Sequence, residues 1–339
     1  MNATVVRRRW ARWLWIVPLS IVVLLLVLAA AGFTYEKIAE ARDRERFPPP
    51  GVLVDIGGFK LHLYCTGQGS PTVVLETGAG VVSRSWEPIQ SAVEATSRVC
   101  SYDRGGYGWS DPSPAPRTSA TIAQELRTLL RNAGERPPFI LVGHSLGGFN
   151  VRVFAHEYLD DVAGLILVDS SHEDQMSRQP PEMSAAQDGS RALFPVIRIA
   201  ARLGLLRLAA VLGAGGNAAS SAEVARASLP PHLVDAVTEE AALFEVSAAD
   251  ARKARQLGDL PLIVLTAGAE EANVPEQLRE PLRRYREIWV KELQPDLARM
   301  SSRGRHIVVE DSGHMIPLVR PDAVSDAILE MVHETSGDR

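Results

Sequence analysis

Read for its apolar and polar positions, the chain changes rhythm three times. It begins with a stretch free of charge from Trp13 to Tyr35, and about 20 apolar residues suffice to cross a bilayer core as a helix. From residue 52 onward short apolar runs alternate with amphipathic ones. Residues 52–55, 60–65, 71–76, 98–102, 139–142, 164–168, 260–266 and 305–310 have the length and content of strands, the first two joined by a Gly57-Gly58 hairpin signal. Helical periodicity falls between them, at residues 86–95, from a Thr118 cap to residue 132, and at 148–158, 283–300 and 321–333. Strands alternating with helices predict an α/β fold whose mostly parallel, eight-stranded sheet is covered by helices on both faces.

The alternation stops between residues 171 and 257, where alanine, arginine and leucine dominate and breaks fall at Pro180-Pro181, at residues 213–216 and at Pro230-Pro231. This segment reads as an inserted helical cap. Its most apolar part, residues 192–212, carries Arg198, Arg202 and Arg207, each costly at mid-bilayer. An amphipathic lid helix covering an apolar pocket is therefore preferred to a second span, and a lid that also touches the membrane surface stays open.

Charge gives the first segment an orientation. Arg7, Arg8, Arg9 and Arg12 precede the apolar run, with Trp10, Trp13 and Trp15 at its start, so the positive-inside rule predicts a cytoplasmic N-terminus and an exported remainder. Residues 1–12 are then the cytoplasmic end, 13–35 a transmembrane signal anchor and 36–50 a linker stiffened by Pro48-Pro49-Pro50. Residues 51–170 and 258–339 form the core around the cap at 171–257. Two other readings stay open: a signal peptide cleaved near Ala29-Ala30-Ala31, which would release the protein as a secreted one, and a buried core helix. The net charge is −5, with arginines scattered among acids, which excludes a nucleic-acid surface and favours small-molecule chemistry. No metal-ligand cluster and no cofactor motif stands out. The two cysteines, Cys65 and Cys100, suit either a disulfide in an oxidising compartment or two buried thiols.

The candidate chemistry centres on Gly143-His144-Ser145-Leu146-Gly147. A strand-like run enters it and a helix-like run leaves it, as required of a G-x-S-x-G nucleophile elbow. A serine hydroxyl needs a base to take its proton, and the base needs a third group to orient it. Of the eight histidines, His314 follows the last strand in a glycine-marked loop, Asp311-Ser312-Gly313-His314.

Four pieces in this order, Thr77-Gly78-Ala79, the loop from Tyr102 to Ser110, the GHSLG elbow and Ser312-Gly313-His314, make the chain resemble a serine hydrolase of the α/β-hydrolase fold, of the esterase and proline-iminopeptidase-like kind. The resemblance runs from Val52 to the end. It implies Ser145 as nucleophile and His314 as general base. The acid is Asp169, at the end of the sixth strand, or alternatively Glu271 after the seventh, where the family's usual residue is aspartate. Backbone N–H groups of Leu146 and Ala79 are implied as oxyanion donors, with the loop at 103–110 as scaffold and pocket rim. The resembled sheet order puts strand two beside strand four, so a Cys65–Cys100 bridge is implied as well. The expected function is a membrane-anchored extracytoplasmic hydrolase cleaving a carboxylic ester, thioester or amide of a small or lipid-like acyl substrate through an acyl-enzyme. The alternatives are an aminopeptidase, with Glu239, Glu240 and Glu245 holding the substrate amine, and a noncatalytic binding module on the same fold.

Overall fold

The computed structural model describes residues 3–213, 229–270 and 274–336. Eight strands, β1 (Val52–Asp55), β2 (Lys60–Thr66), β3 (Thr72–Glu76), β4 (Val99–Tyr102), β5 (Phe139–His144), β6 (Val162–Val168), β7 (Leu262–Ala267) and β8 (Gly304–Val309), form one sheet. Their order across it is β1-β2-β4-β3-β5-β6-β7-β8. β2 runs antiparallel to both β1 and β4, and every other neighbouring pair is parallel. Each strand lies where the apolar runs predict it, with ends moved by at most two residues.

Helices are numbered along the chain as α1 (Ala3–Arg46), α2 (Glu87–Val93), α3 (Ser119–Asn132), α4 (Gly147–Glu157), α5 (Gln175–Arg178), α6 (Pro181–Ala192) and α7 (Phe194–Arg202). There follow α8 (Leu205–Gly213), α9 (Pro231–Ala242), α10 (Phe244–Lys253), α11 (Glu276–Ile288), α12 (Gln294–Ala298), α13 (Ile316–Val319) and α14 (Pro321–Ser336). The chain divides into two compact units, Met1–Pro48 with Phe194–Val234, and Pro49–Leu193 with Asp235–Arg339.

The second unit holds the sheet. β3, β5 and β7 are buried at every position, as parallel strands covered on both faces must be. Successive residues feed opposite layers. Phe139 and Leu141 join Leu126, Phe154 and Leu297 on one face, while Ile140 and Val142 join Ile89, Ile328 and Met331 on the other. α3 starts where its cap predicts, the Thr118 hydroxyl accepting the Thr121 N–H at 3.3 Å.

The helix expected at 283–300 is instead α11, one π-helical turn at Trp289–Leu293, and α12. Pro295 has no N–H for the carbonyl four residues back, and the winding loosens in the turn before it.

The antiparallel register sets Cys65 opposite Cys100, and their sulfurs are bonded. The bridge spans 35 residues, so removing it with Cys65→Ser and Cys100→Ser together is expected to cost about 2–4 kcal/mol through the unfolded chain. A urea midpoint unmoved in the double variant would show that the bridge adds no stability.

In the first unit α1 does not end at Tyr35 but continues to Arg46, taking most of the stretch expected as linker. Glu36–Arg46 is made largely of strong helix formers, and Glu40 pairs with both Lys37 and Arg44 on its own surface. Residues 192–212 do not form one lid helix. They are divided among the end of α6, α7 and α8, and Gly204, at φ 69°, turns the chain between the last two. α1 is long and apolar enough to cross a membrane by length and composition.

Candidate active site

β5 delivers the chain to the elbow and α4 carries it away. Ser145 takes φ 53°, a left-handed conformation that costs a non-glycine residue about 1–3 kcal/mol and persists only where its surroundings enforce it. The enforcement is visible at the flanking glycines. A Cβ on Gly143 would lie 2.5 Å from Val151 Cγ2, and one on Gly147 would lie 2.6 Å from the Thr77 carbonyl oxygen. No side chain fits at either, so the turn can close tightly enough to lift Ser145 above the sheet. Two backbone hydrogen bonds tie it to the next strand. Ser145 N–H donates to Val168 O at 3.1 Å, and Ser171 N–H donates to Ser145 O at 2.9 Å.

The structure brings together three of the residues named from the sequence. His314 Nε2 lies 3.0 Å from Ser145 Oγ, and His314 Nδ1 lies 2.6 Å from Asp169 Oδ2. Asp169 is buried at the end of β6, itself at φ 40°. Its other oxygen, Oδ1, accepts from the Ala267 N–H at 3.0 Å and from Trp289 Nε1–H at 2.8 Å. Burial opposes its ionisation, but the hydrogen bond and charge of His314, with those of Trp289 and Ala267, outweigh it and hold the carboxyl below its ordinary value. Glu271 lies outside the described residues.

No local pattern in the sequence marks Trp289, because the partner that gives it a place at the site, Asp169, lies 120 residues away. His144 was noted as part of the elbow and no more. Its ring lies against that of His314, and its Nε2 is 2.9 Å from the His314 carbonyl oxygen. Burial, with the neighbouring His314, lowers its pKa to about 4, so near neutrality it is an uncharged donor that holds the backbone of His314.

Around the proposed oxyanion side lies a buried polar cluster. Arg104 is fully buried and donates to Glu240 Oε1 at 2.9 Å through Nε and to Glu76 Oε1 at 2.6 Å through Nη1. It also donates to the carbonyls of Thr77 and Gly78, at 2.6 and 3.0 Å. In a trans peptide the N–H points opposite to the carbonyl. With the Gly78 carbonyl turned to Arg104, the Ala79 N–H is therefore directed away from it. Gly78 itself stands against Ser145, since a Cβ there would be 3.1 Å from Ser145 Cβ. Tyr107 fixes the next residue, its hydroxyl accepting from Gly80 N–H at 3.1 Å and donating to Glu240. Leu146 stands at the start of α4, where first-turn N–H groups have no intrahelical acceptor. In the loop at 103–110 Asp103 accepts from the Ser83 and Trp109 N–H groups and pairs with His62 at 2.9 Å, a scaffold role, while none of the loop's residues lines the cavity over Ser145.

A cavity of about 830 Å³ opens over Ser145, Asp169 and His314. Its walls mix apolar groups such as Met183, Tyr285 and Trp289 with Gln179, Gln187 and Arg286. Among the described residues, the one grouping with metal-like spacing is Cys65, Cys100 and Glu135. Its two sulfurs are spent in the disulfide.

An α/β sheet in this order, with a serine on a strained turn between strand and helix, defines a class of protein by architecture and site together. Sequence comparison agrees. The family described as the alpha/beta hydrolase fold matches residues 71–321, and the chain belongs to that family. An uncharacterised Bacillus subtilis protein, YbdG, is 28% identical over 156 residues, covering 45% of this chain and 48% of its own. An uncharacterised vacuolar membrane protein of Saccharomyces cerevisiae is 34% identical over 134 residues, covering 34% and 21%. The chain thus spans about half or less of the length of the curated relatives it matches. Among solved structures, a thermophilic esterase from Thermogutta terrifontis superposes with TM-score 0.59 at 23% identity, covering 84% of this chain and 98% of that one. At that identity the likeness is one of fold.

Proposed function

We propose that the protein is a serine-type carboxylic ester hydrolase, anchored in a membrane by residues 13–35 with its sheet-bearing unit on the extracytoplasmic side. Thioesters and amides share the same acyl chemistry. The observation that carries the reading is the unbroken line from Asp169 through both ring nitrogens of His314 to Ser145, at 2.6 and 3.0 Å. Asp169 keeps the proton on Nδ1, so Nε2 presents its lone pair to the Ser145 hydroxyl and takes its proton as Oγ attacks the acyl carbon. The Leu146 and Ala79 N–H groups receive the oxyanion. His314 then gives its proton to the departing alcohol, and water repeats the sequence on the acyl-enzyme to release the acid. Serine at the elbow disfavours epoxide or haloalkane opening, which needs a carboxylate nucleophile.

The aminopeptidase reading is weaker. Glu240, one of three acids that could hold an amine, is committed to Arg104 and Tyr107, and neither Glu239 nor Glu245 lines the cavity. The binding-module reading leaves the aligned Ser145, His314 and Asp169 without a purpose. Export and anchoring draw support from the apolar α1, from the four arginines before its apolar stretch and from the Cys65–Cys100 bridge, since disulfides persist in oxidising compartments.

The test is covalent labelling of the full-length protein in detergent with a fluorophosphonate probe. Wild type is expected to label, and Ser145→Ala to lose both the label and about 10⁶-fold in kcat toward a p-nitrophenyl ester. A folded wild type that stays unlabelled sinks the serine-hydrolase reading.

A further inference from the structure

In a water-facing helix the apolar stripe turns inward and charge turns outward. α8 does the reverse. Its sequence is Leu-Leu-Arg-Leu-Ala-Ala-Val-Leu-Gly, and its exposed positions include Leu205, Leu208, Ala209 and Leu212, spaced i, i+3, i+4 and i+7 along one face. Leu212 is 70% exposed and Leu208 is 50% exposed, whereas Arg207, the helix's one charge, is 5% exposed. α7 adds Val196 and Ile199 to the exposed apolar surface.

The inward charge fixes where this surface lies along α1. Arg207 donates to both oxygens of Glu36 at 2.9 Å and to Asp43 Oδ2 at 2.6 Å. His232 Nδ1 lies 3.0 Å from Glu40 Oε1. Glu36, Glu40 and Asp43 occupy one stripe of α1, so the partner segment is clamped to the first turns beyond the uncharged stretch. The turn between α7 and α8 reaches back further. A Cβ on Gly32 would lie 2.6 Å from the Leu203 carbonyl oxygen, and one on Gly204 would lie 3.2 Å from the Tyr35 ring. Gly32 falls inside the uncharged stretch, three residues before its end, or about 4.5 Å along the helix. The start of α8 is therefore level with the end of the span, near the depth where in-plane amphipathic helices bury about 5–10 Å into the boundary between headgroups and acyl chains.

We propose that α7 and α8 form an in-plane membrane element, with the apolar face of α8 immersed in the lipid beside the end of the α1 span. The inference rests on the anchoring reading above. It goes beyond a single-pass anchor, because the membrane then contacts the chain at two places far apart in sequence. The outward apolar face faces acyl chains, and the buried Arg207 clamp holds it at the right height.

The experiment is site-directed spin labelling of the full-length protein in phosphatidylcholine and phosphatidylglycerol vesicles. The two native cysteines are bonded to each other, which leaves introduced thiols selective. Leu208→Cys and Leu212→Cys report on the face, Leu25→Cys on the span, and Arg299→Cys, at an exposed side chain of the sheet-bearing unit, on water. The expected result is an oxygen-over-nickel accessibility ratio at 208 and 212 clearly above that at 299 and below that at 25, as for positions buried at the boundary between headgroups and acyl chains. If 25 reports lipid while 208 and 212 report water, the in-plane element is overturned and the anchor stands. If 208 and 212 are shielded from both reagents, a protein surface covers the face and the proposal again fails. If 25 itself reports water, the anchoring reading fails first.

Discussion

Asp169→Asn is expected to lower kcat about 10⁴-fold with KM little changed, because of which oxygen is already occupied. Oδ1 accepts from Trp289 Nε1–H and from the Ala267 N–H, and in asparagine only the carbonyl oxygen can keep those two bonds. The amide nitrogen is then forced to face His314 Nδ1, where it can only donate. That drives the ring proton to Nε2, and the lone pair that should take the Ser145 proton is gone. The fold is preserved, since no buried contact is lost. Steady-state kinetics on wild type and variant, with Glu271→Gln alongside, provide the check. A loss smaller than about tenfold in Asp169→Asn, paired with a large one in Glu271→Gln, would transfer the orienting role to Glu271.

Arg104→Met is expected to cost about 3–5 kcal/mol of stability. The arginine separates two carboxylates, Glu76 and Glu240, each at most 1% exposed, and its removal leaves both buried without their cation. The same guanidinium holds the carbonyls of Thr77 and Gly78, so its loss also frees the Ala79 N–H. The expected kinetic effect is a fall in kcat of about 10- to 100-fold, below the 10²–10³ usual for deleting an oxyanion donor outright. Arg104→Lys keeps the charge without the fork, and is expected to recover most of the stability but little of the kcat. That split distinguishes a loop-positioning role from mere structural support. Urea unfolding and turnover of the two variants measure it, and wild-type values for both in Arg104→Met would discard the cluster's importance.

Much of this was readable in the residues. Eight strands announced themselves because parallel strands covered on two faces must be apolar along their length. Ser145 and His314 stood out because elbow and base are each marked by glycines next to a strand end. Spacing alone does not decide between Asp169 and Glu271, since each follows a strand-like run. The 2.6 Å contact between Asp169 and His314 Nδ1 favours Asp169, while Glu271 lies outside the described residues. The Arg104 cluster was hidden for a different reason. Its partners Glu76 and Glu240 lie 28 and 136 residues away, and no local pattern announces a pairing at that separation. Glu240, which the sequence offers as an amine-holding acid, is instead buried and paired with Arg104 and Tyr107. The extension of α1 through Arg46 was missed because mixed charges read as linker, although Glu, Lys, Arg and Ala are good helix formers.

The two backbone bonds between Ser145 and the segment after β6 carry a mechanical consequence. Ser145 and Asp169 both sit on left-handed residues at the ends of adjacent parallel strands, and are stitched together through Val168 and Ser171. Their separation is set by the spacing of the sheet, with no adjustable joint between them. His314 rides on a loop and is steadied from outside by His144. Two of the three members thus share one frame, while the alignment of the third depends on how firmly the loop after β8 is held, so substitutions in that loop are the ones expected to misalign it without touching the sheet.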